Sequence, residues 1–148
     1  MSLIGGGGSG AGGAGNPAGG TFSGGSNTLE IVGDFCYVYV EEFTADSSGV
    51  VRMSFTTGGF TTVGTIRFAG FTNMGSPSGS GQVGTCRVKL NGVTIIDLHT
   101  EGQTKDMPFS DTADLLVPPF TKVECVVDAA STQVDEHGSL SYVGRVYA

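Results

Sequence analysis

Tryptophan is absent from the 148-residue chain, only 14% of its residues are charged, and only seven of those are basic. The seven, Arg52, Arg67, Arg87, Lys89, Lys105, Lys122 and Arg145, are scattered. No basic cluster can track a phosphate backbone, which argues against nucleic acid as a partner. Fourteen acidic residues leave a net charge of −7, a balance that favours solubility and repels polyanions. Glycine, proline or charge breaks every apolar run well before the roughly 18 residues that a membrane helix needs. The opening Met1-Ser2-Leu3-Ile4 has no basic stretch and runs straight into Gly5 to Gly8. It does not read as a secretory signal, and synthesis in the cytosol is the expectation. Three cysteines, Cys36, Cys86 and Cys125, lie far apart. An odd count without paired spacing opposes both a disulfide framework and a Cys-x-x-Cys metal site. They read instead as small buried hydrophobes in a reducing compartment.

Glycine is what the chain has in excess. Between Gly5 and Gly25 lie 12 of its 26 glycines, with Pro17 and Phe22 as the only distinctive side chains. Such a segment is costly to immobilise and has little to bury, so it does not fold alone. Fixing its backbone costs roughly 1–2 kcal/mol per residue, a sum that only a partner surface can offset. The chain therefore divides into a flexible arm, residues 1–26, and a folding domain, residues 27–148. A domain of roughly 120 residues buries about two-thirds of its unfolded surface, which is enough for a core.

From Leu29 onward, short β-rich runs alternate with Gly, Ser, Asn and Asp. Leu29 to Val32 is the first. Phe35 to Phe43 reads as one central strand, with Phe35, Tyr37, Tyr39 and Phe43 on one face and Cys36, Val38 and Val40 on the other. Asp46-Ser47-Ser48-Gly49 is a turn. Val50 to Thr56 places Val51, Met53 and Phe55 inward. Phe60 to Phe71 is a long run in which Gly64 and Gly70 are candidate bulges. Gly75 to Gly81 is a loop. Cys86, Val88 and Leu90 then alternate with polar neighbours up to Asn91-Gly92, the signature of a type I′ hairpin. Thr100 to Asp114 reads as polar and irregular, with at most a turn near Ser110 to Leu115. Prolines 118 and 119 precede a strand through Val123, Cys125 and Val127, and Leu140, Tyr142 and Val146 line the last one. Seven or eight short strands without a helix predict an all-β fold, an antiparallel, jelly-roll-like β-sandwich.

Each candidate site carries an ordinary explanation beside the chemical one. Asp97, His99 and Glu101 alternate, so on a strand they share one face, as metal ligands would; a solvated strand end explains them equally well and is preferred. Asp135-Glu136-His137-Gly138, with Asp128, lacks the ligand rhythm of a calcium loop and reads as a turn. Gly79-Ser80-Gly81 is loop, since no nucleophile elbow lies between a strand and a helix. The glycine-rich start lacks the Lys-Ser or Lys-Thr of a phosphate-binding loop. Tyr37, Tyr39 and Phe43 have the spacing to stack on sugars, but alternating aromatics are more often core, and that is the expectation. No catalytic, cofactor or metal residue is assigned, and an enzyme is not expected.

The glycine-rich arm, the Cys86-to-Leu98 hairpin around Asn91-Gly92, and the run Leu116-Val117-Pro118-Pro119-Phe120-Thr121-Lys122-Val123 together resemble tailed-bacteriophage capsid decoration (cement) proteins of jelly-roll type. The C-terminal run Leu140 to Tyr147 is similar to the aromatic last strand of trimeric jelly rolls of the tumour-necrosis-factor and C1q type. The resemblance implies a structural virion protein, made in the host cytoplasm, that forms a homotrimer on the capsid surface. Its implied partners are the major capsid protein or another virion subunit, reached in part through the arm. The alternative is a glycan-binding or host-recognition module of a tail fibre or spike.

Overall fold

The computed structural model describes residues 27–73, 83–100 and 110–147, apart from the side chains at 72, 73, 134 and 135. The arm over residues 1–26 and the loop at 75–81 lie outside the described residues. Within them the chain forms ten strands and no helix. These are β1 (Glu30–Val32), β2 (Phe35–Tyr39), β3 (Phe43–Ala45), β4 (Val50–Thr56) and β5 (Thr61–Asn73). There follow β6 (Gly84–Leu90), β7 (Val93–Thr100), β8 (Ser110–Val117), β9 (Lys122–Ala129) and β10 (Gln133–Tyr147).

Topology grows outward from the Asn91-Gly92 turn. Asn91 (φ 48°) and Gly92 (φ 85°) both take positive φ, as a two-residue type I′ hairpin requires. That turn pairs β6 with β7, and around it β5 pairs β8, β4 pairs β9 and β2 pairs β10, all antiparallel. The nested ribbon folds over, so that β10 also pairs β5 and β9 also pairs β6. Two sheets result: a larger one, β1-β2-β10-β5-β8 with β3 beside β10, and a smaller one, β4-β9-β6-β7. Counting β2 and β4 to β10 in chain order, the sheets run first-eighth-third-sixth and second-seventh-fourth-fifth. This is the double Greek key of a jelly roll. The chain is an all-β antiparallel sandwich of that type.

One contact in the core constrains the two sheets together. The Tyr142 ring of β10 lies over the Gly64–Gly144 pair of β5 and β10, stacks on Phe55 of the smaller sheet with centroids 5.5 Å apart, and shares a hydrogen bond with Thr62 Oγ1 at 2.8 Å. A Cβ at Gly64 would stand 2.9 Å from Tyr142 Cζ and 2.5 Å from the Val143 carbonyl oxygen. A Cβ at Gly144 would stand 2.5 Å from the Val63 carbonyl oxygen and 2.7 Å from Gly64 Cα. Around this slot pack Met53, Ile66, Phe68, Val88, Val117 and Val123, all buried. Phe43, Phe71 and Phe68 meet edge to face at one end. The three cysteines are free thiols within this core.

Several elements depart from the pattern expected of the sequence. The run from Phe35 to Phe43 breaks after Tyr39, where Val40 N–H donates to the Leu140 carbonyl at 3.1 Å and Phe43 restarts one residue out of phase. Phe43 is therefore core while Phe35 and Tyr39 face outward. Arg52 is an extra residue between Val51 and Met53 in the β4–β9 ladder, so Val51 points outward rather than inward. The guanidinium of Arg52 sits 5.0 Å from the Phe43 ring centroid and donates to the Thr44 carbonyl. Gly70 does mark a bulge, since Gly70 and Phe71 together oppose Gly138, whereas Gly64 lies in regular register. Residues 110–114 are strand, not irregular chain, and Asp135 to Gly138 lie inside β10 rather than in a turn.

Two outcomes follow. Gly144→Ala forces the central ladder apart and is expected to cost about 1–3 kcal/mol; a urea-unfolding midpoint equal to that of the unchanged protein would contradict the slot. Burial pushes Tyr142 from 10.0 up to about 12 against the partial relief of the Thr62 bond, and pushes Cys36 from 9.0 up to about 11. Both groups hold their proton longer folded than unfolded. Their contribution is thus complete below about pH 9 and is lost as pH rises from there to about 12. Unfolding midpoints measured across that range should fall, and Tyr142→Phe should flatten the upper part of the decline.

Candidate interaction surface

Because strand side chains alternate, the residues between the core positions of the larger sheet form its outer face. Register places them in rows. Val32, Phe35, Arg145, Val63 and Leu116 form one row across β1, β2, β10, β5 and β8. Glu30, Tyr37, Val143, Thr65 and Asp114 form the next, and Tyr39, Ser141, Arg67 and Thr112 a third. Seven of the twelve exposed large hydrophobics among the described residues stand on this face, including Tyr147. Contiguous apolar surface of this kind is uncommon on soluble monomers and usually marks a contact site.

A shallow groove of about 420 Å³ opens in it, walled by Phe35, Val63, Val143 and Arg145 and floored by the backbone of Gly64 and Gly144. The Arg145 guanidinium lies 4.9 Å from the Phe35 ring centroid, where the ring face attracts the cation. At the opposite wall Thr65 Oγ1 donates to Asp114 Oδ1 at 2.8 Å. Beside the groove the rings of Tyr37 and Tyr39 lie 4.9 Å apart and tilted by 30°. Tyr39 is 66% exposed, so the expectation that these tyrosines are core is wrong for this pair and right only for Phe43. What decided it was the break after Tyr39, which carries no strong turn signal.

A second exposed feature lies at the β8–β9 turn. Phe120 adopts φ 53° and is 75% exposed, a rare backbone state for a bulky residue. Buried Thr57 holds the turn: its hydroxyl donates to the Pro118 carbonyl at 2.7 Å and accepts from Thr121 N–H at 3.0 Å. Thr57 N–H also donates to the Thr121 carbonyl, and Phe120 N–H to that of Gly58. No sequence signal pointed to this clasp, because Thr57 and Thr121 are 64 residues apart.

The polar candidates do not converge. Asp97 and His99 face outward on β7, opposite Arg87 and Thr85, and His99 Nδ1 is 3.5 Å from Thr85 Oγ1. Glu101 lies outside the described residues. Asp128 pairs with Arg87 on the smaller sheet, whereas His137, on the larger sheet, pairs with Glu42 at 3.2 Å. Among the described residues no three His, Cys, Asp or Glu side chains are grouped to hold a metal ion. No helix of the described residues is long and apolar enough to cross a membrane. In Asp46-Ser47-Ser48-Gly49 the Asp46 carboxylate accepts from the Ser48 hydroxyl and from its N–H at 2.8 Å, which hold its pKa below the usual range. This is turn chemistry. No protein-family model and no curated protein matches this chain.

Proposed function

We propose that this chain is a non-enzymatic structural component of a virion, a decoration protein that binds the outer capsid shell and stabilises it. Residues 1–26 reach neighbouring subunits, the partners are the major capsid protein or another virion subunit, and the protein acts as a homo-oligomer, a trimer by resemblance. It is made in the host cytoplasm and resides on the capsid surface. The observation that carries the reading is the apolar outer face of the larger sheet, which bears seven of the twelve exposed large hydrophobics among the described residues. Jelly rolls recur in viral capsid proteins and in lectins, and that likeness of fold supports the reading by analogy alone. The acidic balance keeps such a protein off packaged nucleic acid.

A second reading, a glycan-binding module of a fibre or spike, is favoured by the Tyr37–Tyr39 pair beside the groove, half-buried at Tyr37 and exposed at Tyr39. Deletion of residues 2–25 separates the two. Decoration predicts a folded domain whose binding to shell particles, measured by co-sedimentation, is lost or greatly weakened. Undiminished binding would refute the role given to the arm. Loss of glycan binding on Tyr39→Ala, with shell binding unchanged, would favour the second reading.

A further inference from the structure

The groove on the larger sheet and the aromatic knob at the β8–β9 turn are complementary features of one chain. We propose that they form a single self-contact, in which Phe120 of one copy seats in the groove of a second copy, against Phe35, Val63 and Val143.

Three observations converge on a second copy as the occupant. Phe120 is held at positive φ by the buried Thr57 clasp, yet it stays three-quarters exposed, its ring tip 3.2 Å from where a Cβ on Gly59 would stand. A strained residue that the surrounding structure over-determines points to function, and here the fold spends strain to present a ring that its own core does not use. The groove, about 420 Å³, sets the apolar side chains of Phe35, Val63 and Val143 between Arg145 and Asp114, and has the volume for an aromatic ring. Charge completes the match. The chain carries −7 overall, which opposes self-association, but the groove holds one Arg145 against one Asp114. The turn Pro118-Pro119-Phe120-Thr121 has no charge, and the following Lys122 is paired with Glu124. The contact itself therefore adds no like-charge repulsion to that between the two chains. Knob and groove are different patches, so the contact is heterologous, the kind that closes into a ring when its rotation allows.

This deepens the homo-oligomer element of the proposed function and rests on it only there. The test is light scattering on the full chain over a wide concentration range. The unchanged protein should self-associate, and Phe120→Ser and Val143→Glu should each weaken association about 30-fold or more, as loss of an interface anchor does. Both positions are exposed, so circular dichroism and Tm should hold. Val63→Lys serves as a second groove variant if Val143→Glu fails to fold, and Val93→Glu, on the smaller sheet, should leave association intact. Mixing the Phe120 variant, which keeps the groove, with the groove variant, which keeps Phe120, should restore a complex. A monomeric unchanged protein, an undiminished oligomer in either variant, or no recovery on mixing would overturn the contact. A monomer that still binds shell particles ends the self-contact alone. An oligomer that does not bind them ends the decoration reading alone.

Discussion

The close approach of Gly64 to Gly144 governs both sides of the larger sheet. On the inner side it opens the slot that Tyr142 fills, and through Phe55 that ring sets the smaller sheet against the larger. On the outer side the same two backbones floor the groove between Val63 and Val143. A methyl group at either glycine acts on the core and the surface together, because central β-ladders shift as units rather than atom by atom. The buried phenol and the exposed groove are thus consequences of one packing decision.

The Asn91-Gly92 turn explains how such a fold is encoded locally. It is the tip of a ribbon whose every rung pairs outward from it, and its side chain also ties the tip back to β9, where Asn91 Oδ1 accepts from Lys122 N–H at 2.9 Å. Alternation along β6, β9 and β10 made the core legible in the sequence, since Cys86, Val88, Val123, Cys125, Val127, Leu140 and Tyr142 all fall inward as their period requires. Period fails where a residue is added. The bulges at Arg52 and at Ile95 flip their neighbours without any compositional mark. The strand at Ser110–Val117 was hidden because Asp111, Ala113 and Asp114 have weak strand preference and rely on β5 for their ladder.

The candidate surface was legible only in part. Tyr37 and Tyr39 were visible as a pair, but which face they take depends on the break before Phe43, a tertiary matter of how β2 and β3 share β10. The Phe120 knob was less visible still, because nothing in Pro118-Pro119-Phe120-Thr121 specifies a positive φ until Thr57 arrives from across the fold. Surfaces built from long-range hydrogen bonds escape a reading by local pattern, whereas cores built from alternation do not.

On the function proposed, the outer face of the larger sheet, with seven of the twelve exposed large hydrophobics among the described residues, is the contact surface. Hydroxyl-radical footprinting of the full chain, dilute and then concentrated or assembled, addresses it most directly. The account predicts that Phe35, Tyr39, Val143 and Phe120 become protected on assembly while Val93 and Ile95 stay as reactive as before. Equal reactivity of Phe35, Tyr39 and Phe120 in both conditions, or protection centred on Val93 and Ile95, would contradict it.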